Sequence, residues 1–172
     1  MKFIKLMLVA LALSATMNLS AEQTFGVNFA KGMVEDSGYD ADVNALVFNY
    51  GYEINEWAKL EARAGMGLGK DNVDVFGTDV GVSIDSLYGI YGKFGMDLED
   101  GYYPYFILGY TETTLEAEAL GVTLNDASSD VSYGLGLEIK GNSGIFAVEF
   151  MNYMDKDGVE FQALSFGYST RF

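Results

Sequence analysis

Five ionisable side chains stand where chemistry could be done: Glu61, Arg63, Lys93, Glu138 and Glu149. Each alternates with apolar neighbours, so each falls on the minority polar face of an otherwise greasy segment. Two carboxylates facing one cleft can share general acid–base work, and Glu138 and Glu149 could approach each other across the short turn at 140–144. The chain contains no histidine and no cysteine. It therefore lacks the side chain that titrates near neutrality, and a Ser–His–Asp nucleophile is excluded. With Arg63 and Lys93 on the same face, the carboxylates are expected to form ion pairs rather than to catalyse. No catalytic, cofactor-binding or metal-ligating residue is assigned.

The segments carrying these charges share a period of two, the side-chain period of a strand. Eight such segments follow one another. They are Thr24 to Ala30, Ala45 to Tyr52, Trp57 to Leu68, Ser86 to Met96, Tyr103 to Thr113, Val131 to Ile139, Ile145 to Tyr153 and Val159 to Phe172. Phe25, Val27 and Phe29 alternate with Gly26 and Asn28 in the first. Val131, Tyr133, Leu135, Leu137 and Ile139 alternate with Ser132, Gly134, Gly136 and Glu138 in the sixth. Glu56 to Met66, taken alone, also fits an amphipathic helix, because Trp57, Leu60 and Ala64 fall at helical spacing. Its neighbours' period favours a strand. Val73 to Ile84 and Thr114 to Leu124 are open to two readings, as hairpin extensions or as extra spanning strands.

Most segments come close to the roughly 9–11 residues with which a tilted strand crosses hydrocarbon. Connections alternate between long (31–42, 69–85, 114–130) and short (53–56, 97–102, 140–144), the pattern of a barrel with long loops on one side only. Asp155 to Gly158 is a brief connection on the long side, and its Asp-Gly is a hairpin signal. No stretch after residue 21 is apolar enough for a spanning helix, so the membrane can be entered only by a closed barrel. The fold class expected is all-β, an eight-stranded antiparallel up-and-down transmembrane β-barrel.

The first residues supply an address. Lys2 and Lys5 precede a ten-residue apolar run, Leu6 to Ala15, and small residues lead to Ala21, the pattern of a secretory signal. Residues 1–21 are expected to be a cleaved signal peptide and 22–172 a single outer-membrane β-barrel domain. Removal of the two lysines leaves eight basic and 25 acidic residues, a net charge of −17. Such a balance argues against nucleic acid, whose phosphates would be repelled.

Tyr103-Pro-Tyr-Phe-Ile-Leu-Gly-Tyr110, Ser132 to Glu138 and the closing Ala163 to Phe172 carry a resemblance. Over essentially the whole mature chain, the sequence resembles the small outer-membrane β-barrel proteins related to OmpA, OmpX and the opacity adhesins. The resemblance implies residence in the bacterial outer membrane, reached through the periplasm, with outer-membrane lipid and lipopolysaccharide as surroundings. It also implies an assembly signal read by the barrel-assembly machinery, and assigns that role to Leu164, Phe166, Tyr168 and Phe172. The peptidoglycan-binding domain of OmpA is not expected here, nor a cell-wall tether.

An eight-stranded interior is narrow enough for side chains to fill it. Glu61 and Lys93 are expected to stand opposite one another on adjacent strands, and Arg63 to reach Glu149 or Glu138 across the lumen, with Lys59, Lys140 and Arg171 nearer the periplasmic rim. This lumenal set is read as a self-satisfied plug, since an isolated buried charge costs several kcal/mol. Tyr91, Tyr105, Ile107 and Met151 fill space beside it. The protein is then an outer-membrane barrel with a structural or surface-interaction role. The alternative, which the resemblance to OmpA allows, is a narrow porin-like channel for ions or small solutes, with the same charges as its gate.

The acidic outer loops could meet an extracellular ligand or bind divalent cations that bridge to lipopolysaccharide phosphates; no metal site and no cofactor is claimed. Tyr50, Tyr52, Tyr88, Tyr110, Tyr133 and Tyr168 are expected at the lipid interfaces. Deleting Phe172, or changing it to Asp, should lower the amount of protein in the outer membrane and raise its periplasmic degradation, measured by fractionation; unchanged abundance would remove the terminal aromatic as a recognition element.

Overall fold

The computed structural model describes residues 22–36, 39–75, 78–119, 122–156 and 158–172. The expected signal segment, 1–21, lies outside the described residues. Among the described residues nine strands form one antiparallel sheet: β1 (Gln23–Asp36), β2 (Tyr39–Asn55), β3 (Ala58–Gly67), β4 (Asp71–Val75), β5 (Thr78–Gly95), β6 (Tyr102–Ala119), β7 (Val122–Lys140), β8 (Ile145–Lys156) and β9 (Val159–Arg171). Each pairs with its sequence neighbours, apart from the interruption between β3 and β4. β1 also pairs with β9, and β3 with β5, so the sheet closes on itself. β3 and β4 are one strand position broken at 68–70. Both ladder onto β5, and Gly69 takes a φ of +84° at the break, a conformation that costs glycine little. Eight positions thus cross the membrane. Closure removes the free edges that would otherwise template aggregation.

Alternation dictates which way each side chain points. Phe25, Phe29, Phe94, Phe106, Leu108, Leu135, Phe150, Leu164 and Phe166 are exposed all round the barrel. Glu61, Arg63, Tyr91, Ile107, Glu149 and Ser165 are buried inside it. An apolar belt of this extent would be a liability in water and is the lipid-facing wall of a membrane barrel. Tyr50, Trp57, Tyr102 and Phe172 sit outward near the end with short turns, and Tyr88, Tyr110 and Tyr133 nearer the other, as interfacial aromatics do. The candidate helix at Glu56 to Met66 is the strand β3. Among the described residues no helix is long and apolar enough to cross a membrane.

The long connections are corrected by the structure. Residues 31–36 and 39–42, 78–85 and 114–119 continue their strands as ordered hairpins, and the β6–β7 ladder extends to Ala119 opposite Val122. β6 has 18 residues, nearly twice what the hydrocarbon requires at about 9–11. The described residues of Val73 to Ile84 and of Thr114 to Leu124 are therefore hairpin extensions beyond the membrane. Glycines and acids in these stretches read as loop, yet inward valines and leucines keep the strand period going. Bulges between Ile84 and Ser86 and between Asn152 and Met154 shift the register where the extensions begin.

The interior is tiered. Charged side chains occupy the half nearest the short turns. Above them lies an apolar cluster that includes Val34, Val43, Ile84, Leu87, Met154 and Phe161. In detergent the protein should give a β-dominated circular dichroism spectrum and migrate faster on gels before boiling than after; a helical spectrum would contradict the fold.

Candidate functional site

β3 builds one wall of the site, because residues 59, 61 and 63 share its inward parity. Arg63 makes two parallel hydrogen bonds to Glu149 of β8, Nη1 to Oε1 at 2.5 Å and Nη2 to Oε2 at 2.8 Å. Its Nε donates to Glu61 at 2.6 Å. Glu61 in turn accepts from the Lys93 ammonium at 2.7 Å, and Lys93 lies 3.2 Å from Glu138. Glu138 finally accepts from Lys59 at 2.7 Å. The result is an unbroken ladder, Lys59–Glu138–Lys93–Glu61–Arg63–Glu149, of three cations and three anions. All six residues are buried.

Aromatic rings complete the coordination. Lys59 lies 4.3 Å from the centre of the Tyr103 ring, Arg63 4.6 Å from Tyr91 and Lys93 4.8 Å from Tyr105, each within reach of a cation–π contact. The Tyr105 hydroxyl donates to Glu149 at 2.8 Å, and the Tyr153 hydroxyl accepts from Arg63 at 3.2 Å. Room for all three rings comes from glycine: a Cβ at Gly109 would strike the Tyr91 ring, one at Gly136 the Tyr105 ring and one at Gly95 the Tyr103 ring. Above Arg63 the hydroxyls of Tyr91, Thr111 and Ser132 form a row at 2.6 and 2.5 Å, and Ser132 donates to the Tyr153 carbonyl. A cavity of about 20 Å³ lies beneath, between Lys59, Glu61, Lys93 and Glu138 and the facing Asn28 and Asn49, room for about one water.

The structure brings all five lumenal candidates together and revises their geometry. Glu61 and Lys93 are not directly opposite: the register sets Lys59 against Lys93 and Glu61 against Tyr91, so the pair is a diagonal one. Glu138 and Glu149 do not share a cleft, because Glu138 faces Ala147 across the turn and each carboxylate is held by different cations. Lys59 is no rim residue but an end of the ladder; its shared parity with Glu61 and Arg63 is the signal that places it there. Lys140 and Arg171 do stay at the rim, paired with Asp97 at 2.5 Å and Glu22 at 3.2 Å. Leu164, Phe166 and Tyr168 face outward on β9. Phe172 closes β9 against β1 through backbone bonds with Gln23, its ring 6.4 Å from that of Tyr50.

At the opposite end the sequence stretches 31–42, 70–85, 112–130 and 155–160 carry sixteen acids and three lysines. One of those lysines, Lys70, hydrogen-bonds Glu118, which holds its ammonium above the ordinary lysine range. Among the described residues no group of three or more His, Asp or Glu side chains is arranged to hold a metal ion.

A closed eight-position barrel with an apolar belt and a charged, filled lumen has relatives. The model of the outer membrane protein beta-barrel domain matches residues 6–172. The chain belongs to that family. It is accordingly a bacterial outer-membrane protein. Among solved structures it is similar to Ail, the attachment invasion locus protein of Yersinia pestis, solved in complex with the heparin analogue sucrose octasulfate. The two are 16% identical, with a TM-score of 0.67 over 90% of this chain and 100% of that one. Neisserial surface protein A is 13% identical, with a TM-score of 0.66 over 87% and 97% of the two chains. At these identities the likeness shows the fold. No curated protein matches the chain in sequence.

The ladder generates a stability prediction. Arg63→Met strands Glu149 without its cation and takes from Glu61 one of its two, and should destabilise the barrel to urea by about 3–5 kcal/mol. Adding Glu149→Gln should recover a large part of that loss, with a coupling well above the ~0–1 kcal/mol of exposed pairs. Small and additive losses in the refolding equilibrium would contradict the contact.

Proposed function

We propose that the protein is a non-conducting barrel that supports the outer membrane and acts at its outer surface, through ordered acidic hairpins. The observation that carries this reading is the neutral six-member ladder, which fills the membrane-spanning lumen with paired side chains, the cavity beside it having room for about one water. A conduction path would require several of these pairs to open together in a low-dielectric tube. Each stranded charge would then cost several kcal/mol. Support for surface contact comes from the extent of the hairpins, which carry an excess of thirteen acids beyond the spanning region. Ail holds a polyanion in its solved complex; the acidic hairpins here favour partners of the opposite charge.

The same reading covers delivery. Residues 1–21 act as the cleaved leader, and the outward row Leu164, Phe166, Tyr168 and Phe172 is read by the barrel-assembly machinery in a membrane of lipid and lipopolysaccharide. Refolded protein in planar bilayers is expected to leave the current at baseline, and protease added to intact cells is expected to clip the hairpins. Sustained openings of the unmodified protein would favour the narrow channel instead.

A further inference from the structure

Outside the membrane the barrel does something the lumenal ladder does not require. The inward faces of the hairpin extensions are mostly apolar, and they surround a cavity of about 540 Å³ that opens outward. Val34, Val73, Val82, Leu115 and Leu124 form its apolar lining. Asp36, Asp40, Glu116 and Asp126 line it as well, and among the described residues no lysine or arginine does. Register puts Asp126 opposite Leu115, and Asp36 opposite both Tyr39 and Val159, so these two acids share the inward face with the apolar residues. Above Gly67, β2 loses its ladder with β3, and β4 ladders with β5 alone. A backbone N–H to carboxylate bond, Asp42 to Asp71, links β2 to β4 there.

We propose that this cup is a binding site for small cationic amphiphiles, molecules that join an apolar body to an ammonium or guanidinium head. Apolar wall facing water is unfavourable in proportion to its area, so an apolar body that covers it gains free energy. The volume falls within the roughly 300–1,000 Å³ of sites that take such ligands. Charge decides the head group. Four acids line the cup, and the hairpins around it are strongly acidic, so a sulfate or phosphate head is repelled while a cation is drawn in. The proposal uses the surface reading above only for the side of the membrane on which the cup opens.

The test uses the mature protein in phosphatidylcholine nanodiscs with labelled valine and leucine methyls, titrated with octyltrimethylammonium and, separately, with octyl sulfate. Saturable shifts at Val34, Val82, Leu115 and Leu124 are expected with the cation and none with the anion. Asp36→Asn combined with Asp126→Asn should weaken binding at least tenfold, and Leu115→Trp, which fills the cup, should abolish it. Equal response to octyl sulfate, shifts confined to lipid-facing methyls such as Leu135 and Leu164, or unchanged affinity in the doubly neutralised variant would each overturn the proposal. Protease protection of the hairpins on intact cells would instead sink the surface reading and leave the nanodisc result standing.

Discussion

A charge inside a narrow tube wrapped in lipid has nowhere to go except to another charge. That constraint organises this barrel. Lys59, Arg63 and Lys93 answer Glu138, Glu149 and Glu61 one for one, and the ladder is neutral although the chain carries a net charge of −15. The planar guanidinium of Arg63 suits the central place, since it can bind one carboxylate through two nitrogens and a second through its third. Lysines hold the outer part of the ladder, where one ammonium can lie between two carboxylates.

The ladder in turn sets the demand for glycine and tyrosine. Three tyrosine rings lie across the lumen beneath cations, and each occupies space that only a residue without a Cβ leaves free. Glycine therefore appears on the inward parity of strands whose outward parity is bulky and apolar. The outward face has a simpler task, to match hydrocarbon over about 25–30 Å and to place aromatics at its two margins. Above the membrane that task ends while the inward apolar row continues, and the cup is the consequence.

Much of this was legible in the sequence because strand parity is a strict rule. Once Phe25, Val27 and Phe29 face outward, Gly26 and Asn28 must face inward, and the same two-step count put Glu61, Arg63, Lys93, Glu138 and Glu149 inside. What the count could not supply was relative height. Antiparallel register depends on turn length and bulges, so Glu61 was set against Lys93 when it lies two residues away. Lys59, close to a turn, was set at the rim although it is buried. The sequence offered hairpin extensions at Val73 to Ile84 and Thr114 to Leu124 beside extra spanning strands and did not separate the two, because Asp71 to Asp85 and Glu112 to Asp130 have the composition of loops and only their inward valines and leucines keep the strand period. The apolar tier of Ile84, Phe161 and Met154 went unread for the same reason, since two of its three strands carry bulges that shift parity.

The central claim is that paired charges seal the lumen, and the absence of cysteine from the chain makes that directly measurable. A single cysteine at Ala147 lies inside, on the periplasmic side of the Arg63–Glu149 pair, beside the water-sized cavity. With the protein oriented in vesicles, a small charged thiol reagent applied from the hairpin side should fail to modify this cysteine, and should modify it when Arg63 and Glu149 are both replaced by alanine. Modification of the cysteine in the otherwise unaltered barrel, at a rate matching that of the alanine double variant, would contradict the account.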